Sequence, residues 1–370
     1  SHNIKNHKLK LWSRSAITLA SSARRRMILT GTPMPNDARD LWTQLTFLWP
    51  NNYPLGHLAP YIRYALPHGI GDKYKDAVNP LFTRITKEDL GLPDVNIEPI
   101  RVPLMPIQQK IYDVIKVKTL ENINSLREQG KLQKFRRAKM IRLIQSASNP
   151  SSIFEKADEF ELDGIDFGYP EEKISLAALK EDIDDDLYSK IINYSQTGEI
   201  PSKLTKAAKM AEDLIKKNEK VIIWCWSIAN IDVLANQLLK HLNPIVIHGK
   251  ISKDHNNIKN RDKLIKNFKK DKKARVLIAS ISALSEAVSL HIDIDTVDGK
   301  EIVRKVCSNA IYLERNFNGA QFMQSMDRIH RVGMDHKLSL NYYCIIAKKT
   351  INSIDIKSVF LLNKGFKINL

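Results

Sequence analysis

The chain has 370 residues and a formal net charge of +17, with 43% apolar and 27% charged residues. That length leaves room for two ordinary domains, and that charge favours a polyanionic partner through release of condensed counterions. Cys225, Cys307 and Cys344 lie at unrelated spacings, which argues against a disulfide framework or a thiolate metal site, and no apolar run is long enough to span a membrane.

Taken in chain order, Met27 to Leu29 reads as an apolar strand running into Thr30, Gly31, Thr32 and Pro33. A helix then opens near Asn36 or Asp37, either of which can cap it. Small hydroxyl residues and a glycine at the carboxyl end of a buried strand are where open α/β sheets place phosphate chemistry. From Pro106 to about Asn149 two helical stretches come next, because Ile107, Ile111, Val114 and Ile115 recur at helical spacing. Residues 151–201 are acidic, with several glycines and prolines, and read as a linker or insertion. From Ser202 apolar runs at Val221–Trp226, Ile245–His248, Arg275–Ala279, Ala310–Leu313 and Leu338–Ile346 are separated by helices such as Ile228–His241 and Arg261–Lys269. This alternation predicts an α/β fold, a parallel sheet with helices on both faces.

Basic residues cluster at Arg24–Arg26, Lys134–Lys139 and Lys266–Lys273, against an acidic stretch from Glu155 to Asp186. Near the end of the chain, QSMDRIHRVG places Gln324, Arg328 and Arg331 four and three residues apart, which predicts one helix face. Two guanidiniums side by side form a planar, permanently charged clamp for phosphate oxygens. The same residues also fit a solvated helix with an Asp327–Arg331 ion pair. His248, His291 and His330 read as packing residues in preference to metal ligands.

TGTP and QSMDRIHRVG, in this order and about 300 residues apart, together resemble the superfamily-two helicases, specifically their Swi/Snf-like (HepA-type) branch of DNA-translocating ATPases. There LTGTP is the third motif and Q-x-x-x-R-x-x-R the sixth. SHNIKNHKLKLW resembles the stretch just after the family's D-E-x-H box, and LPDVNIEPIRVPLMPIQQKIYDVI the strand and helix leading to the helical protrusion. KLTKAAKMAEDLIKKNEKVIIWCWSIANIDVL resembles the start of the second lobe, IHGK its middle and VLIASISALSEAVSLH its fifth motif.

The resemblance implies two RecA-like lobes, the first incomplete. Residues 1–105 would be the carboxyl-terminal part of lobe one, 106–150 its helical protrusion, 151–201 an acidic linker or insertion, and 202–370 lobe two. It assigns Arg328, Arg331 and Gln324 to catalysis, and Gly31, Glu286 and Asp327 to the nucleotide. Thr30, Thr32, Arg136, Arg137, Lys139, His248, Gly249 and Ser280 are assigned to DNA, and no residue of the chain to a metal. The implied cofactors are ATP and Mg2+. The implied partners are duplex DNA held without sequence preference and subunits of a defence or repair complex, with no membrane. The Lys-, Asn- and Ile-rich composition suggests an AT-rich genome and a bacterial, nucleoid-associated setting.

Two departures bear on activity. The phosphate loop G-x-x-x-x-G-K-[ST] is absent, since the Gly-Lys pairs at Gly130, Gly249 and Gly299 lack the upstream glycine and the following hydroxyl, and no D-E-x-H is present. The expectation is therefore a chain truncated just inside that box and inactive by itself. In the fifth motif, Ser285 to Ser289 stand where the family has a glycine-rich turn, and Ala287 replaces a glycine only if its φ is negative. An RNA helicase of the same superfamily and a non-catalytic binding remnant remain as rival readings.

Overall fold

A computed structural model of the chain describes residues 11–31, 33–34, 39–68, 71–83, 89–127, 142–154, 185–249, 255–284, 288–314, 319–334 and 339–350, together with Ile4, Ile85 and Lys87. Among the described residues no helix is long and apolar enough to cross a membrane.

Four helices come first: α1 (Leu11–Ser22), α2 (Arg39–Leu48), α3 (Leu58–His68) and α4 (Gly71–Val78). Their small core gathers Leu41, Trp42, Leu45, Leu55, Tyr61, Ala65 and Val78. Arg26 ties α1 to α2, donating to the carbonyls of Ala20 and Ala23 at 2.7 Å and of Leu48 at 2.8 Å. The expected strand Met27–Leu29 does not form. Residues 25–30 are irregular, and Met27 and Leu29 are 76% and 82% exposed. A strand exists through its neighbours, and none of the described strands pairs with this segment.

The next unit contains α5 (Pro106–Arg127), a helical stretch at residues 142–148 and α6 (Asp185–Ile192). Ile111, Tyr112, Ile115, Leu143, Ala147, Ile153, Ile191 and Tyr194 form its core, so the end of the segment read as a linker packs against the helices on its far side. The start of α5 is satisfied by a distant carboxylate. Glu199 accepts from the amides of Ile107 and Gln108, both at 2.8 Å, and from the Tyr194 hydroxyl at 2.9 Å.

The strands are β1 (Val95–Val102), β2 (Val221–Cys225), β3 (Ile245–Ile247), β4 (Val276–Ser280), β5 (Ile292–Val297), β6 (Lys300–Lys305), β7 (Asn309–Tyr312) and β8 (Leu340–Ala347). Six form one parallel sheet in the order β1-β8-β7-β2-β4-β3. β2 and β4 are buried along their whole length, which is why VIIWC and VLIAS show no polar alternation. β1 lies at the edge, a place that tolerates Pro99 and its missing N–H. Chain order places β1 with the first lobe; it pairs instead along its full length with β8.

Helices cover both faces. On one, α7 (Ser202–Lys216) sets Leu204, Ala207, Ala208, Ala211 and Leu214 at helical spacing against Val221, Ile223 and Val276, with α8 (Ile228–Val233) beside it. On the other, α9 (His255–Lys270) and α10 (Gly319–Met326) pack Ile265, Phe268, Phe322 and Met326 against Ile222, Trp224 and Leu277. The helix expected over Ile228–His241 is broken: after Val233 come a π turn at Leu234–Leu238 and a 3-10 turn, which ends at Asn243 with φ 45°. The antiparallel hairpin β5–β6 is an addition to the expected elements. Its turn is Asp298-Gly299, with φ 52° and 75°, a hairpin signal present in the sequence. Cys225, Cys307 and Cys344 are buried thiols.

Candidate functional site

The arginine motif does not lie on one helix face. α10 stops at Met326, before Arg328. The backbone tightens into three-residue turns there, Arg328 N bonding Ser325 O and Ile329 N bonding Met326 O, each at 3.2 Å. Two outside donors compete for the last carbonyls: the Tyr342 hydroxyl reaches Met326 O, and the amide of Leu290 reaches Arg328 O, both at 2.8 Å. A carbonyl engaged from outside is drawn away from the helical ladder.

The two arginines nevertheless converge. Arg328 Nη1 donates to the Val288 carbonyl at 3.2 Å, and Arg331 Nη1 donates to the same oxygen at 3.4 Å. Arg328 is 7% exposed and packed inside, whereas Arg331 is open to solvent. Gln324 sits half-buried on α10, about one turn before Arg328. Val288 belongs to the stretch after β4, so the segments expected to be the fifth and sixth motifs meet at one atom.

His291 and Gly333 complete the junction. His291 Nδ1 lies 2.8 Å from Ser289 Oγ, and its Nε2 lies 3.0 Å from the Val332 carbonyl. Burial, with the charges of Arg331 and Lys269, holds its pKa below the ordinary value, against the pull of the Val332 carbonyl. Gly333 has φ +97°, a left-handed conformation that glycine accepts at no steric cost.

Asp327 does not pair with Arg331. It bonds Lys87 Nζ, which also lies 3.4 Å from His330 Nδ1, and His330 Nε2 is 3.0 Å from the Pro93 carbonyl. Burial first, then Lys87, holds the His330 pKa below its ordinary value, while Pro93 and Asp327 act in the opposite sense. Sequence reasoning reaches Ser289 only through the fifth motif and reads His291 as a packing residue, and it does not pick out Lys87 or Tyr342. Gly333 is the nearest signal, and nothing local marks Lys87 as the partner of a residue so far along the chain.

The remaining expected residues are dispersed. Ser280 and the half-buried pair His248-Gly249 end the neighbouring strands β4 and β3, where Ile247 lies opposite Ala279. The Ser280 hydroxyl accepts from the Ala283 amide at 3.3 Å and so caps the following turn. Thr30 and Gly31 are exposed, and a Cβ on Gly31 would meet nothing within 4 Å. Thr32, Arg136, Arg137, Lys139 and Glu286 lie outside the described residues. Among the described residues no group of three or more His, Cys, Asp or Glu side chains could hold a metal ion.

Residues 1–152 match the family described as SNF2-related domain, and residues 203–333 the helicase conserved C-terminal domain. The chain is 24% identical over 403 aligned residues to the TATA-binding protein-associated factor MOT1 of Saccharomyces cerevisiae, covering 100% of this chain and 20% of that protein. It is 25% identical over 334 residues to an uncharacterised ATP-dependent helicase of Mycoplasma genitalium, covering 88% of this chain and 26% of that one. The chain thus spans about a quarter or less of the length of these relatives. Among solved structures it is similar to the C-terminal part of the Fun30 ATPase domain, with a TM-score of 0.47 and 22% identity over 72% of this chain and 89% of that one.

Proposed function

Because the chain belongs to the SNF2-related family of helicase-type ATPases, we propose that it forms part of an ATP-dependent motor that moves along duplex DNA. The observation that carries this reading is the convergence of Arg328 and Arg331 on the Val288 carbonyl. A neutral carbonyl is a weaker acceptor for a guanidinium than a phosphate oxygen. Arg331, exposed and with its donor at 3.4 Å, exchanges that carbonyl for phosphate, while the buried Arg328 holds the place. Such arginine contacts stabilise charge in phosphoryl transfer and are worth about a thousandfold or more in rate.

ATP with Mg2+ supplies the phosphoanhydride whose hydrolysis drives the motion. The residues that fit its phosphates are Arg328 and Arg331, with Gln324, Gly31, Glu286 and Asp327 as the further proposed contacts to the nucleotide. The 370 residues contain neither a phosphate loop nor a D-E-x-H box, so turnover requires both from another source. Duplex DNA tracks the carboxyl edge of the sheet at His248, Gly249 and Ser280, with Thr30, Thr32, Arg136, Arg137 and Lys139 as further contacts. The excess of positive charge supports that partner. A bacterial defence or repair complex is the proposed setting.

The test compares the chain alone with a fusion to a first-lobe segment carrying G-x-x-x-x-G-K-S and D-E-x-H. DNA-stimulated phosphate release is expected from the fusion alone, and Arg331→Ala is expected to lower it by about a hundredfold or more while DNA affinity holds. Release from the unfused chain, or a fusion indifferent to Arg331→Ala, overturns the reading.

A further inference from the structure

We propose that His291 is a positioning residue for the arginine pair, a neutral imidazole strut between the Val288–Leu290 stretch and the loop that carries Arg331. The inference rests on the reading that this pair meets phosphate. A carbonyl oxygen only accepts, so Nε2, at 3.0 Å from Val332 O, carries the proton. In the neutral ring Nδ1 is then the acceptor, and the Ser289 hydroxyl at 2.8 Å is its donor. The ring thus links residue 289 to residue 332, the residue next to Arg331.

The rest of the junction shows why that link matters. Leu290 N holds Arg328 O at 2.8 Å, so the backbone at the first arginine is fixed directly. Among the described residues, no other side chain bonds the backbone of residues 331–334. His291 is itself held, 2% exposed, with its carbonyl accepting from Val306 N at 2.7 Å. Beyond Val332 the chain turns at Gly333, where a Cβ would lie 3.0 Å from Ile292 Cδ1. The Arg331 guanidinium is exposed, with one long bond to Val288 O at 3.4 Å, while its Cα is anchored one residue away. A donor anchored in this way reaches a phosphate without first ordering its backbone.

Three measurements test the strut, two of them on the chain as it stands and independent of ATP turnover. Imidazole 15N shifts at neutral pH are expected to show the Nε2-protonated tautomer at His291; an Nδ1-protonated ring overturns the proposal. Tryptic cleavage after Arg331 is expected to rise by about tenfold in His291→Leu, the loss of one buried hydrogen bond. His291→Gln, whose side-chain amide replaces the donor to Val332 O, is expected to stay near the native rate. Equal cleavage in all three proteins, or a Gln variant as labile as the Leu variant, overturns it. In the fusion enzyme, His291→Leu is expected to lower kcat by about tenfold at unchanged KM for ATP, with His291→Gln restoring it. If Arg331→Ala abolishes turnover but His291→Leu leaves kcat intact, the strut is wrong and the arginine reading stands. If Arg331→Ala is silent, the arginine reading fails, and the inference that His291 sets the pair for phosphate falls with it.

Discussion

Arg328 and Arg331 carry the same group into different surroundings, and their substitutions should separate accordingly. Arg331 is exposed and its loss should touch turnover alone, whereas Arg328 is buried and bonded to Val288 O. Arg328→Ala removes that donor and leaves unfilled volume, so it should cost about 1–3 kcal/mol of stability besides the loss of turnover. Urea unfolding of the two variants checks this, and equal midpoints would contradict it. The two histidines add a pH dependence. His291 and His330 both have folded pKa values held below the ordinary 6.5, so below that pH the unfolded chain binds more protons. Their contribution is complete above about pH 6.5 and is lost as pH falls towards the lowered values. Urea midpoints should drop between pH 7.5 and 5.0, and a double variant with both histidines changed to Gln should show a flatter profile over that range. An unchanged slope in the double variant would place the dependence elsewhere.

The elements divide into those that periodicity specifies and those that contacts specify. The five apolar runs after Ser202 form β2, β3, β4, β7 and β8, within one or two residues of the expected bounds. Apolar runs of that kind cannot be left in water, so their burial is legible locally. The end of α10 is not legible, because it depends on Tyr342 and Leu290 arriving from elsewhere in the fold. The start of α5 behaves likewise. Glu199 satisfies two of its free amides at 2.8 Å from a segment read as a linker. Glu199→Ala should therefore lower stability by about 1–2 kcal/mol. Hydrogen exchange should quicken first in the opening turn of α5, and unchanged protection there would show that water replaces the cap at no cost.

At the scale of the whole molecule the question is what the proposed motor would act on. With a charge of +17, binding to duplex should weaken steeply with salt and vary little with sequence if, as proposed, phosphates and not base edges carry the contacts. The fusion should displace a third strand from a duplex, since movement along a groove pushes off whatever lies in it, yet leave an ordinary fork paired. Efficient fork unwinding, or stimulation by RNA but not by duplex DNA, would move the protein to the strand-separating branch.

The sequence by itself determined the class of fold and the family resemblance, and it singled out the arginine pair as a candidate, because each signal is a local pattern of residues. Alternating apolar runs and helices dictate a parallel sheet, and TGTP with QSMDRIHRVG marks the two motifs. Only the tertiary structure decided where those residues go. It placed β1 beside β8, set both guanidiniums on one carbonyl, gave Asp327 to Lys87 and put His291 between Ser289 and Val332. Each of these depends on which backbone groups remain unsatisfied when the elements pack. A donor finds the nearest free acceptor in space, and distance along the chain carries no record of that.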